Sequence, residues 1–217
     1  EELPIIQRRL VKTCLRLGRP VIVATHMLES MIESPMPTRA EITDVANAVF
    51  EETDAIMLSG ESAVGQYPVK CVEVLDRIAQ RTERSGGANY HKLAHFVGPR
   101  EKLAHSAVVL SDQLKADALL LFTNTGTMAR YVSWQRPRYS PIYAVCSDRK
   151  VAASLTLNWG VRPFQMDFDE GHPETTIDRA LKKLVEDGKV KQGDSIIIIT
   201  GIKAGDQVVG SIQSRIV

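Results

Sequence analysis

Four segments of this chain end in side chains that can do chemistry, and each follows a short apolar run. V-I-V-A-T (21–25) ends in Thr25 and His26, with Glu29 and Ser30 just beyond. D-A-I-M-L-S (54–59) ends in Ser59 and is followed by Gly60, Glu61 and Ser62. A-L-L-L-F (118–122) runs into Thr123, Asn124, Thr125, Gly126 and Thr127, and S-I-I-I-I-T (195–200) ends in Thr200 and Gly201. An imidazole at such a place can act as a general base. A carboxylate can help to bind a cation. Hydroxyls and exposed N–H groups where a helix starts, as in T-N-T-G-T, make an anion site favoured by the helix dipole.

Each of these groups also has a plainer use. Thr123 or Thr125 can simply cap the helix that follows, which is the preferred reading from spacing alone. That turn is not a Walker loop, since no G-K-[ST] follows it. His26 beside a strand end is expected to be a hydrogen-bonded packing residue, and Glu61 alone is weak evidence for a metal. Arg8-Arg9 and Lys182-Lys183 read as solvated helix faces, and Trp134 and Trp159 as core or interface anchors. Cys14, Cys71 and Cys146 are far apart and odd in number. That argues against a disulfide framework or a zinc site and suits a reducing compartment, with each thiol an inert apolar filler.

The elements that must position these residues alternate. Residues 3–17 have helical apolar spacing, stopped by Gly18 and Pro20. Thr38 stands three residues before Glu41, a capping-box arrangement opening a helix to about 51, with Ile42, Val45, Ala46 and Val49 on one face. Pro68 opens a helix to about 84, with Val72, Leu75, Ile78 and Ala79 inward. Residues 85–99 hold glycines and a proline without an apolar period and form the expected linker. Beyond it, helices at 100–114, 126–134, 149–157 and 173–188 alternate with strands at 118–122, 141–146, 161–166 and 195–200. The tail G-S-I-Q-S-R-I-V can add a last strand. Such alternation predicts an α/β chain with mostly parallel sheets covered by helices, whose reactive face lies at the C-terminal strand ends.

The bulk numbers limit the alternatives. The chain has 217 residues, 44% hydrophobic and 24% charged, with a net charge of +1. This is the balance of a globular protein, with no electrostatic case for nucleic acid or an anionic membrane. No apolar run approaches the roughly 20 residues that span a bilayer. The first residues, E-E-L-P-I-I, lack a signal peptide's apolar region and an initiator Met, and so read as a processed start or, the preferred reading, a segment of something longer. No G-x-G-x-x-G follows a strand and no G-x-S-x-G elbow is present, which disfavours a dehydrogenase or an α/β hydrolase.

Three blocks carry a resemblance: P-V-I-V-A-T-H-M-L-E-S-M, P-T-R-A-E-I-T-D-V-A-N-A-V and D-A-I-M-L-S-G-E-S-A-V-G-Q-Y-P. In this order and spacing they closely resemble pyruvate kinases. Residues from about 100 onward resemble that family's C-terminal regulatory domain more loosely, through their β–α order and the T-N-T-G-T turn. The resemblance implies that residues 1–84 are the C-terminal segment of a (β/α)8 barrel of the TIM type, 85–99 a linker and 100–217 an α/β regulatory domain. It implies phosphoryl transfer between phosphoenolpyruvate and ADP, giving pyruvate and ATP in glycolysis. It also implies Mg2+ and K+, a cytoplasmic homo-oligomer (a tetramer in the family), and no nucleic-acid or membrane partner.

The resemblance further assigns residues. Thr25 matches a threonine at the substrate carboxylate, where a hydroxyl donates without a competing charge. Ser59 matches a serine near the proton path to the enolate carbon, where it can only relay through water. Arg39 matches an arginine at a subunit interface near the active site. Thr123, Asn124, Thr125, Gly126 and Thr127 match the turn that holds a phosphate of sugar-phosphate or nucleotide effectors. Departures stand beside these matches: His26 replaces a commoner glutamine, and Val64 a lysine near the nucleotide. The tail T-G-I-K-A-G-D-Q-V-V-G-S-I is not the usual effector loop. The family's metal carboxylates, potassium ligands, catalytic lysine and lid domain are not found in this chain, so no metal ligand is assigned. Because phosphoryl transfer depends on metal and cationic positioning of the phosphates, the chain alone is expected to be inactive. The alternative is a non-catalytic module for effector binding or oligomerisation.

Overall fold

Pro4 sits in the first turn of helix α1 (Leu3–Arg16), where its missing N–H leaves no gap, and Gly18 at φ 63° lets the chain turn away after the helix ends. The computed structural model to which α1 belongs describes all residues except Thr25, Glu170, Gly205 and Asp206, and of residues 202–204 and 207–208 the backbone alone. Two units divide the chain, Glu1–Ala94 and His95–Val217.

In the first unit, strand β1 (Ile22–Ala24) leads through a 3-10 turn (Glu29–Ile32) to helix α2 (Arg39–Phe50), strand β2 (Ala55–Met57), the short helix α3 (Gly60–Ala63) and helix α4 (Pro68–Glu83). A second 3-10 turn (Tyr90–Leu93) follows. β1 and β2 pair in parallel, with Ile22 opposite Ala55 and Ala24 opposite Met57. A parallel pair needs a crossover, and α2 supplies it. Thr38 caps α2: its side chain accepts the Glu41 N–H while the Glu41 carboxylate accepts the Thr38 N–H, the capping box expected from the sequence.

The core of this unit joins Val11 and Leu15 of α1 to Val23, Leu28, Met31, Val45, Ala48, Cys71, Val74 and Leu75. The inward faces differ from the sequence expectation. α2 buries Glu41, Val45 and Ala48 and leaves Ile42 at 42% exposure. Its rotation brings the Glu41 carboxylate against Ser30, a polar contact that apolar periodicity does not register. α4 buries Cys71, Val74 and Leu75, an i, i+3, i+4 stripe, and exposes Val72.

The second unit is a five-stranded sheet in the order β5-β4-β3-β6-β7. Its elements are α5 (Pro99–Leu114), β3 (Ala118–Phe122), α6 (Thr127–Trp134), β4 (Ile142–Cys146), α7 (Arg149–Leu155), β5 (Val161–Gln165), α8 (Pro173–Glu186), β6 (Ser195–Ala204) and β7 (Gln207–Ile216). β3, β4, β5 and β6 run parallel, while β7 returns antiparallel along β6. Because side chains alternate across a strand, the sheet serves two cores. Leu119, Leu121, Ile142, Ala144, Ile197 and Ile199 belong to one, with Ala104, Val108 and Val132. Ala118, Leu120, Tyr143, Val145, Ile196 and Ile198 belong to the other, with Ile177, Ala180 and Leu184.

Candidate active site

In the first unit the residues leaving the two parallel strands are held by carboxylates. Glu61, in α3 just after β2, is 2% exposed. One of its oxygens accepts the N–H of Leu28 at 3.0 Å and the other the N–H of Ser59 at 2.8 Å. One side chain therefore ties the loop after β1 to the loop after β2. Burial by itself raises this carboxyl, and the charge of Glu41 adds to the rise. The hydrogen bonds from Leu28, Ser59 and its own backbone outweigh both and leave it below the usual 4.5.

Glu41 does the same for the 29–38 loop. It accepts the Ser30 N–H and Oγ–H, both at 2.6 Å, and the Thr38 N–H at 2.7 Å and Oγ1–H at 2.9 Å. Burial again pushes its carboxyl up, and the bonds from Ser30 and Thr38 hold it below the usual value. The result is a firm scaffold at the C-terminal ends of β1 and β2, where chemistry in parallel folds is placed.

The residues singled out in the sequence fall around this scaffold unevenly. Thr25 lies outside the described residues. Ser59 is half-buried, its backbone N–H held by Glu61. Arg39 is exposed at the first position of α2, and Val64 is 79% exposed. His26 is no packing residue. Its side chain is 73% exposed, its backbone is left-handed at φ 54°, and Nδ1 lies 2.7 Å from Glu29 Oε2. The pinned amides of Leu28 and Ser30 set the path of this loop, and the left-handed turn directs the imidazole outward.

Glu61 was legible as a carboxylate after a strand, but its bridge to Leu28 spans 33 positions and has no local signature. Its oxygens are engaged by N–H donors, so it does not read as a cation ligand. Among the described residues no group of three or more His, Cys, Asp and Glu side chains could hold a metal ion. Arg8 is not simply solvated either, since its Nε donates to the buried Glu51 at 3.1 Å. Cys14, Cys71 and Cys146 are not in disulfides. Burial pushes the Cys71 and Cys146 thiols up, with smaller rises from the charges of Glu61 and Asp148 respectively, as suits inert fillers.

In the second unit the T-N-T-G-T turn lies between β3 and α6. Thr123 Oγ1 accepts the Gly126 N–H at 2.9 Å, and the Thr125 and Thr127 hydroxyls are 2.9 Å apart. Gly126 at φ 79° takes the left-handed position before the helix. β3 is flanked by β4 on one side and β6 on the other, so the chain's winding reverses between β3 and β6. At such a reversal a crevice opens beyond the strand ends. It is present as an open groove of about 620 Å³, lined by Arg100, Thr123, Asn124, Thr125, Thr127 and Thr200 among others. A neighbouring groove of about 350 Å³ adds Phe168, Asp169 and Thr176.

Parallel β–α units with polar strand ends, followed by a mostly parallel sheet with a ligand-sized crevice at its strand ends, define an α/β class. Comparison with known proteins narrows the class. The family model for the pyruvate kinase barrel domain matches residues 1–72, and that for the pyruvate kinase alpha/beta domain matches residues 101–211. The chain belongs to the pyruvate kinase family. It is 41% identical to a pyruvate kinase of Clostridium acetobutylicum over 93% of this chain and 43% of that protein. It is 40% identical to a chloroplastic isozyme G of Ricinus communis over 92% of this chain and 48% of the relative. Among solved structures, Cryptosporidium parvum pyruvate kinase in complex with ADP superposes with a TM-score of 0.88 at 33% identity, covering all of this chain and 44% of the other. The chain thus spans less than half the length of these relatives. Among the described residues no helix is long and apolar enough to cross a membrane.

Proposed function

We propose that this chain is the C-terminal part of a pyruvate kinase that transfers a phosphoryl group between phosphoenolpyruvate and ADP, and that by itself it is inactive. What carries this reading is the match of residues 1–72 to the family's barrel domain and 101–211 to its alpha/beta domain, in that order; the Glu61 bridge then holds the two strand-end loops as one platform. On this reading residues 1–84 are the end of the barrel, 85–99 the linker and 100–217 the regulatory domain. The Thr25 hydroxyl donates to the carboxylate of the substrate. The Ser59 hydroxyl passes a proton through water to the enolate carbon, being too weak a base to act alone. Arg39 lies at the interface between subunits of a homo-oligomer. Mg2+ and K+ belong to the whole enzyme, and no residue of this chain is given a part in holding them. The reduced thiols suit the cytoplasm. A coupled assay with phosphoenolpyruvate, ADP, Mg2+ and K+ tests the proposal. The chain alone should show no turnover. Fused in frame behind the non-matching N-terminal portion of the Clostridium acetobutylicum relative it should turn over, and Ser59→Ala should lower kcat. Turnover of the isolated chain near that of an intact kinase would refute the reading.

A second reading is favoured by the groove at the reversal between β3 and β6. In it the second unit binds a phosphorylated effector, a sugar phosphate or a nucleotide, through residues 123–127. Calorimetric titration with fructose bisphosphate and AMP tests this. Binding that survives Thr125→Ala and Thr127→Ala, or no binding at all, sinks the assignment.

A further inference from the structure

Residues 85–94 show a glycine-rich connector in sequence, yet in the fold they lie along the first unit. Glu52, just past α2, takes a left-handed backbone at φ 64°. Its carboxylate accepts the Tyr90 N–H at 3.1 Å, and the same oxygen lies 3.1 Å from His91 Nδ1. The Glu52 and His91 side chains are only 14% and 15% exposed. The Ala88 N–H donates to the Phe50 carbonyl at 2.7 Å. Tyr90 packs against the core around Val11 and Leu15, with the Lys12 ammonium 5.9 Å from its ring. The segment bends to make these contacts. Asn89 is left-handed at φ 57°, its side-chain amide donating to the Gly87 carbonyl at 2.7 Å. Gly87 has room for no side chain, since a Cβ there would meet Glu52 Cγ at 2.7 Å.

The second unit takes hold of the chain almost at once. Phe96 stacks on His105 at 4.8 Å and meets Trp134 edge-on at 5.1 Å. The Val97 and Gly98 N–H groups donate to Glu101 at 2.8 and 3.2 Å. Between the two sets of anchors only Ala94 and His95 remain.

We infer that Gly87–Leu93 is a strap, caught by Glu52 through Tyr90 and His91, that sets the slack between the two units. Caught, it leaves Ala94–His95 as the tether. Released, it lengthens the tether to Gly87–His95 while each unit keeps its own core. The strap thereby governs how strongly motion in one unit is felt in the other. Nothing in this depends on the reaction proposed above.

Hydrogen exchange and 15N relaxation on the full chain test it, with Glu52→Ala, His91→Ala and Gly87→Ala. The last pries the catch open with a methyl group and changes no charge. Exchange at 87–93 should rise about tenfold or more, the factor implied by losing one hydrogen bond to a charged group. Exchange in β1, β2 and α4 should stay unchanged, and the rotational correlation times of the two units should draw apart. Unchanged exchange in all three variants overturns the strap. Exchange rising equally across β1 and α4 overturns it too, since the segment is then an ordinary part of the first unit's fold. Faster strap exchange with one shared correlation time overturns its control of slack.

Discussion

The two units solve the problem of holding polar strand ends in opposite ways. The first has two three-residue strands, and its strand-end loops are fixed by buried carboxylates, Glu41 and Glu61. The second has a five-stranded sheet with a core on each face, and its turn at 123–127 is fixed by hydroxyls and a left-handed glycine. A sheet of two short strands cannot by itself define where its loops go, and a two-stranded element is marginal in water. Charge-assisted hydrogen bonds, about twice as strong as neutral ones, supply the missing definition. The first unit also exposes Leu3, Ile5, Leu10, Ile22 and Met57, each at 46% or more, a degree of apolar exposure its own elements do not cover. Its strand-end loops are pinned by carboxylates while its sheet has two strands. The second unit has the reverse balance.

The largest expected effect tests the second unit's reliance on its core. Leu120 is fully buried at the centre of the sheet. Leu120→Ala should cost about 2–5 kcal/mol for the side chain and the cavity left behind. Both tryptophans, Trp134 and Trp159, belong to this unit, so their fluorescence in urea reads the loss directly. A midpoint that does not move would break the contrast.

Removing the clamp comes next. Glu61→Ala leaves the Leu28 and Ser59 N–H groups without their acceptor, at about 1–3 kcal/mol in all, because Leu28 is buried while water can reach the half-buried Ser59. Glu61→Gln keeps one acceptor oxygen and should lose roughly half as much. Amide exchange at Leu28 and Ser59 is the readout. Protection unchanged in Glu61→Ala would show that packing alone holds the loops.

Acid should separate the units without any substitution. Glu41 and Glu61 are held below the usual 4.5, so the unfolded chain takes up their protons at higher pH than the folded one. Their contribution is complete above 4.5 and is lost as the pH falls through the folded values. Amide protection in the 26–38 loop should therefore fail at a higher pH than the tryptophan signal. The two failing together would erase the distinction. The smallest effect is Thr123→Val, which removes the acceptor for the Gly126 N–H and should cost about 1 kcal/mol in the fluorescence transition.

Much of this molecule was legible in advance. The apolar runs at 118–122, 141–146 and 195–200 and the helices between them are local patterns, and the strands and helices formed where the periods placed them. Thr38 and Glu41 wrote their capping box in a four-residue motif. Ser59 and T-N-T-G-T stood out as polar residues after apolar strands, and three sequence blocks carried the family. What the sequence alone determined, then, was element order, the parallel sheet and kinship, because each rests on neighbours within a few positions. The tertiary structure decided the rest. It turned α2 to bury Glu41 rather than Ile42, made Glu61 a bridge across 33 positions and turned His26 outward. It also bound the glycine-rich connector to Glu52, 38 positions before Tyr90. His26 apart, these are hydrogen bonds from distant positions to buried or half-buried carboxylates. No local period encodes them, since a buried acid and a surface acid look alike until the chain has folded around its donors.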